Sequence, residues 1–174
     1  MTILRIRTFG DPALRQRARP LDQVTRLHRK LVADMLETMR AAPGVGLAGP
    51  QVGVLERVLV WEVDEEHGAV INPVVVDPSE ETLTAEEGCL SLPGLAYPAE
   101  RHARITVEGI DQRGRPLRIE AEDYLARVFQ HEVDHLDGVL FIDRLPEDLR
   151  RDARRKLTRQ ALGFEVVEQA EGSL

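Results

Sequence analysis

The chain has 174 residues, of which 43% are apolar and 30% charged, with a net charge of −7. That is the length of one domain, with enough apolar material for its own core, and the balance is that of a folded protein rather than a disordered one. An acidic chain lacks the broad basic surface that general DNA or RNA binding requires.

In chain order, the N-terminal MTILRIRTFG interleaves Arg with apolar residues. A secretory signal would carry a continuous apolar stretch there. No apolar run approaches the roughly 20 residues of a membrane span. Val24, Leu27, Leu31, Met35 and Met39 recur at helical spacing and predict a helix over residues 23–42, with Asp22 as N-cap and Pro43-Gly44 as its end. His28 falls in that helix as a surface or core-edge residue. Residues 44–53 hold four glycines and a proline and read as a loop whose backbone can approach a ligand closely.

Residues 57–64 and 69–77 are Val- and Ile-rich strands, with a turn at 65–68 that leaves His67 solvated. Trp61 in the first strand reads as core. Residues 104–111 and 115–122 form a hairpin around Gln112-Arg113-Gly114. A helix follows from about residue 122 to 137, stopped by Gly138, and a last helix spans 146–161. Strands are grouped rather than alternating with helices, which predicts an α+β fold with mostly antiparallel sheet. No repeat or linker divides the chain. One domain over residues 1–163 is expected, including the helix 146–161, followed by a tail at 164–174.

The strongest chemical signal is His131-Glu132-Val133-Asp134-His135. On a helix, positions i and i+4 share a face, so both imidazoles can reach one metal ion with Glu132 beside them. Tyr124, Leu125, Val128, Phe129, Leu136 and Val139 fall on the same half of the helix as the histidines. Arg127, Gln130, Asp134 and Asp137 fall on the other half, expected to face water. Two histidines and a glutamate on a buried face need a partner that offsets their desolvation, and a metal supplies it.

An open catalytic site takes three protein ligands. A third histidine three residues after Gly138 is absent, because that position is Phe141. Glu147 and Glu165 lie downstream in no recognisable motif. The one cysteine, Cys89, sits in Glu87-Gly88-Cys89-Leu90-Ser91. A thiolate binds Zn(II) or Fe(II) well, and an unpaired cysteine is equally often buried packing. A single thiol forms no internal disulfide, which fits a reducing cytoplasm.

Three segments resemble the motifs of the peptide deformylase family. They are Gly44-Val45-Gly46-Leu47-Ala48-Gly49-Pro50-Gln51, Glu87-Gly88-Cys89-Leu90-Ser91 and Gln130-His131-Glu132-Val133-Asp134-His135. The resemblance covers roughly residues 3–145 and departs from the family pattern at Gly49, where an alanine is usual. Gly49 is expected to add backbone freedom.

The resemblance implies a fold of antiparallel sheets around a central HExxH helix, and removal of the formyl group from N-terminal formyl-methionine of nascent polypeptides. It implies Cys89, His131 and His135 as ligands of one divalent ion, Fe(II) natively, with Zn(II), Ni(II) or Co(II) able to substitute. A metal-held water would attack the formyl carbonyl with Glu132 as general base and then acid. The backbone N–H of Leu90 and the amide of Gln51 would stabilise the oxyanion. Gly46 would meet the substrate backbone, and Val45, Val128 and the aliphatic part of Arg127 would line the methionine pocket.

Residues 144–159 carry seven basic side chains against three acidic ones on an otherwise acidic protein. Such a helix is either a solvated surface laced with i,i+4 pairs or a docking element for the ribosome. Two further readings compete with the first: an HExxH endopeptidase cutting internal peptide bonds, and a non-catalytic metal-stabilised module. Glu132 and an open ligand position speak against the last.

Overall fold

The computed structural model describes residues 2–164; the tail expected at 164–174 lies outside the described residues beyond Phe164. The elements run α1 (Arg26–Ala41), β1 (Gly46–Ala48), β2 (Val58–Val63), β3 (Glu66–Val76), β4 (Thr82–Gly88), β5 (Ala96–His102), β6 (Arg104–Ile110), β7 (Pro116–Glu122), α2 (Asp123–Leu136) and α3 (Glu147–Ala161). Short 3₁₀ turns occupy Pro12–Arg15, Gly49–Val52 and Phe141–Arg144. One antiparallel sheet has the order β1-β2-β3-β6-β7, and β4-β5 form a second. The fold is therefore α+β with antiparallel sheets and a C-terminal helix, as the grouping of strands predicted.

The larger sheet separates two apolar layers, because successive side chains in a strand point to opposite faces. In β2, Val58 and Val60 join Met35, Met39 and Val32 of α1 on one face. Leu59 and Trp61 join Phe129, Val128 and Ala126 of α2 on the other. Trp61 meets the Phe129 ring edge-on at 5.4 Å. Full burial of a Phe of this kind stabilises the fold by about 1.5–3 kcal/mol. A third cluster joins Leu157 and Ala153 of α3 to Leu92, Tyr97, Leu140 and Ile142.

Helix α1 begins three residues later than its periodicity predicts. Leu21 is held to the sheet by both ends of the Asn72 amide, at 2.8 Å each, which keeps residues 21–24 out of the helix. Thr25 takes the N-cap position, and its N–H donates to His28 Nδ1 at 2.9 Å. His28 thus closes the first turn. Strand β3 begins at Glu66 rather than 69, because the turn is only two residues, Asp64-Glu65, with Asp64 at φ 56°. Gly68 pairs with Trp61, and a Cβ there would press on Trp61 Nε1 at 3.2 Å.

The N-terminal segment sews two loops together. Arg7 N–H donates to Gln51 O at 2.7 Å, and Phe9 N–H donates to Ser91 O at 2.9 Å. Gly49, expected to loosen its loop, is instead a site of close approach. A Cβ at Gly49 would lie 2.6 Å from Val54 O and 2.7 Å from Glu56 O, so its absence lets the chain fold back tightly.

The half of α2 expected to face water is largely buried. Arg127, Gln130 and Asp134 are covered, and only Asp137 is exposed, while Tyr124, assigned to the inner half, is 53% exposed. The cause is β4-β5, which no residue pattern announced. Its inward positions are Glu87 on β4 and Tyr97, Ala99 and Arg101 on β5. This sheet covers the polar side of α2 and answers its charges. Gln130 brackets the His102 peptide, accepting from its N–H at 3.0 Å and donating to its O at 2.9 Å. Among the described residues, no helix is long and apolar enough to cross a membrane.

Candidate metal centre and active-site cleft

Helix α2 presents His131, Glu132 and His135 toward the loop that follows β4. Cys89 Sγ lies 3.2 Å from His135 Nε2, and the two histidine Nε2 atoms are 3.1 Å apart. All three ligand-type atoms lie within 4.8 Å of one another. His131 Nδ1 is 2.6 Å from the Glu87 carboxylate, an acceptor, so Nδ1 carries the proton and Nε2 turns a lone pair inward. Three electron-rich atoms converging in a buried place need a positive charge between them. A sulfur with two imidazole nitrogens suits a divalent transition ion or zinc. The residues therefore fit a metal.

Beside them, Glu132 is 3% exposed, and its Oε2 has no hydrogen-bond partner. Burial pushes its carboxyl up to about 7. An unpartnered buried carboxylate is costly, and one poised near neutrality beside a metal-type cluster is suited to proton transfer. Gly46 explains how Glu132 fits. A Cβ at Gly46 would lie 2.8 Å from Glu132 Cγ and Cδ. Any larger residue would displace the carboxylate.

Gln51 is fully buried, with its amide fixed at both ends. Ala48 N–H donates to Oε1 at 2.8 Å, while Nε2 donates to Ser91 Oγ at 3.2 Å and lies 3.8 Å from Cys89 Sγ. Ser91 N–H in turn reaches Cys89 Sγ at 3.4 Å.

Glu87 and Arg101 are the residues that sequence reasoning passed over. Arg101 donates Nε to Glu87 Oε2 at 3.0 Å and Nη2 to Oε1 at 2.6 Å, and Arg127 adds Nη1 to Oε2 at 2.8 Å. Burial alone would raise the Glu87 carboxyl. The hydrogen bonds from His131 and Arg101 outweigh it and hold the group well below the usual carboxylate range. The available signal was the glutamate two residues before Cys89; Arg101, in a strand with no Val, Ile, Leu or Phe, left none.

A cleft of about 560 Å³ opens above these groups. Residues 43–46 form one wall, residues 86–90 the other, and His131 and Glu132 the floor. Val45 stands at the rim, 37% exposed, and Val128 lines the cleft while also packing in the core. The Arg127 guanidinium points away, bonded to Glu87, Ala99 O and Leu83 O. Leu90 lines the cleft beside Cys89. Glu147, the alternative third ligand, is on α3 and pairs with Arg150 and Arg151. Glu165 lies outside the described residues.

The family model described as "Polypeptide deformylase" matches residues 3–151. A peptide deformylase of Acidothermus cellulolyticus is 50% identical over 157 residues, which is 90% of this chain and 87% of that protein. The crystal structure of the Ehrlichia chaffeensis peptide deformylase in complex with actinonin superposes with a TM-score of 0.88 at 40% identity, covering 92% of this chain and 98% of that one. The Thermotoga maritima peptide deformylase superposes with a TM-score of 0.82 at 48% identity, covering 84% and 99%. With residues 3–151 matched by the family model and half of 157 aligned residues shared with such a relative, the chain belongs to the polypeptide deformylase family of hydrolases.

Proposed function

We infer that the chain, as a single catalytic domain over residues 1–163, releases formate from the N-terminal formyl-methionine of nascent polypeptides. The observation that carries this reading is the buried, unpartnered Glu132 carboxylate beside the Cys89, His131 and His135 atoms at the floor of the cleft. Those three residues would hold one divalent ion, Fe(II) natively, with Zn(II), Ni(II) or Co(II) able to replace it. Bound there, the ion would polarise water and the formyl carbonyl.

The protein's own groups do the rest. Glu132 takes a proton from the attacking water, and its raised affinity for protons lets it return that proton to the departing amine. The Gln51 Nε2 donor, pre-oriented by Ala48 and Ser91, and the Leu90 backbone N–H stabilise the oxyanion as it forms. No reorganisation is needed at that moment, because the Gln51 amide is already fixed.

Strand β1 pairs with β2 alone and so leaves one edge toward the cleft. An extended substrate backbone can add to that edge at Gly46, while Val45, Val128 and the aliphatic part of Arg127 receive the methionine side chain. The buried Arg127 guanidinium holds that stem in place.

Formate release from formyl-Met-Ala-Ser by anaerobically purified protein tests the reading. Glu132→Ala should lose about 10²–10⁴-fold in rate while retaining metal. A folded, metal-loaded wild type that releases no formate would refute it.

The basic segment 144–159 supports docking to ribosomal RNA in the cytoplasm. Six of its basic residues already meet carboxylates, among them Arg151 with Glu147 and Arg155 with Asp152. A surplus of positive charge remains. Salt-sensitive co-sedimentation with ribosomes should weaken in Arg151→Glu/Arg155→Glu; co-sedimentation unchanged by the reversal would reject the docking role.

A further inference from the structure

The buried charges beneath the cleft form a chain that ends at the surface. His131 Nδ1 contacts Glu87, and Glu87 is gripped by the Nε and Nη2 of Arg101. The remaining arm of Arg101, Nη1, donates to Asp134 Oδ2 at 2.7 Å. Asp134 in turn accepts Nε and Nη2 of Arg144, at 2.5 Å each. The Arg101 and Asp134 side chains are 3% and 8% exposed, whereas that of Arg144 is 48% exposed. Arg144 closes the 3₁₀ turn Phe141–Arg144, whose Phe141 ring stacks on His131 with centroids 6.0 Å apart and planes 28° from parallel. The same turn thus reaches His131 by direct packing and by a relay of ion pairs.

We propose that Arg144 is a positioning residue for His131, acting through Asp134, Arg101 and Glu87; the inference rests on the metal-centre reading above. Arg101 divides one guanidinium between two buried carboxylates. With Arg144 in place, Asp134 is satisfied by a two-bond fork, and Arg101 is free to hold Glu87 with a fork of its own. Without Arg144, Arg101 is the one hydrogen-bonding cation left to Asp134 among the described residues. At low local dielectric that attraction draws Arg101 off Glu87. Glu87 then fixes the Nδ1–H tautomer and ring angle of His131 less tightly, and His131 Nε2 becomes a poorer ligand.

The test uses Co(II)-loaded protein. Cobalt affinity is measured by chelator competition and the ligand field by visible absorption, beside steady-state formate release. Arg144→Ala should weaken Co(II) binding about 3–10-fold, less than the ~10–100-fold typical of a group that touches a ligand directly. Its cobalt bands should shift, and kcat should fall with KM little changed. Arg144→Lys should recover part of the affinity, because it restores the charge without the fork. Arg118→Ala, which removes exposed ion pairs outside the relay, should match wild type. If Arg144→Ala fails to fold, Arg144→Gln serves for the same comparison. Unchanged cobalt affinity and bands in either variant would overturn the proposal even if the melting temperature fell, since that pattern belongs to packing alone. A wild type that binds no Co(II) would overturn the metal-centre reading and this inference together.

Discussion

In α2 the charged residues Arg127 and Asp134 are buried and meet partners outside the helix, Glu87, Arg101 and Arg144. In α3 the charged residues are mostly exposed and meet partners three or four positions along the same helix, as Arg151 does with Glu147 and Arg155 with Asp152. Both helices are rich in ions, but those of α2 form a buried network with other elements, whereas α3 reaches outside itself with Asp152, which accepts from the Tyr97 hydroxyl at 2.6 Å, and Arg154, which meets Asp143. Burying ions carries a large desolvation penalty, so α2 gains geometry rather than net stability from its pairs. The exposed pairs of α3 are screened by water and salt and fix little. What ties α3 down is chiefly apolar, Ala153 and Leu157 packed against Leu92, Tyr97 and Leu140, with the Tyr97 hydroxyl donating to Asp152 beside them.

The contrast can be broken at its strongest point by Arg101→Ala. Glu87 and Asp134 would each lose a buried partner, and urea unfolding should show a loss of about 3–5 kcal/mol. A loss below 1 kcal/mol would mean that water or side-chain movement replaces the guanidinium, and the two helices would not differ as described. Next in size is Gly46→Ala, which forces the Glu132 carboxylate aside. The protein should stay folded and lose about 100-fold in kcat/KM, the scale of a misplaced catalytic group. Wild-type turnover would show that β1 can yield to a methyl group. Leu157→Ala should cost about 2 kcal/mol, a typical price of a core cavity, and so exceed the effect of any ion pair on α3. Arg151→Ala should then shift stability by less than about 0.5 kcal/mol, with the difference vanishing in high salt.

The parts of the fold that showed in the sequence are those with periodic apolar residues. The Val-rich β2 and β3, the β6-β7 hairpin and the three helices were readable to within a few residues. Strands β4 and β5 were not, because Glu87 and Arg101 occupy inward positions that usually hold Val or Ile, and Pro98 interrupts the pattern. The same absence misplaced the polar half of α2, since nothing local to Asp134 or Arg127 announces a distant carboxylate or guanidinium. At the site, His131, Glu132 and His135 were visible from i,i+4 spacing alone. Cys89 and Gln51 depended on the family resemblance, because no spacing rule links residues 51, 89 and 131 before the chain is folded.

The N-terminal strap sets a timetable for the molecule. Arg7 can bond Gln51 early, but Phe9 has no acceptor until Ser91 has been made, and the cluster beneath them waits for His135. A chain emerges from its N-terminus forward, and contacts between distant segments form slowly because a long loop must close first. The cleft therefore matures late, after most of the chain has been synthesised, and a shortened chain that ended before α2 would lack His131, Glu132 and His135 along with the helix that packs beneath both loops.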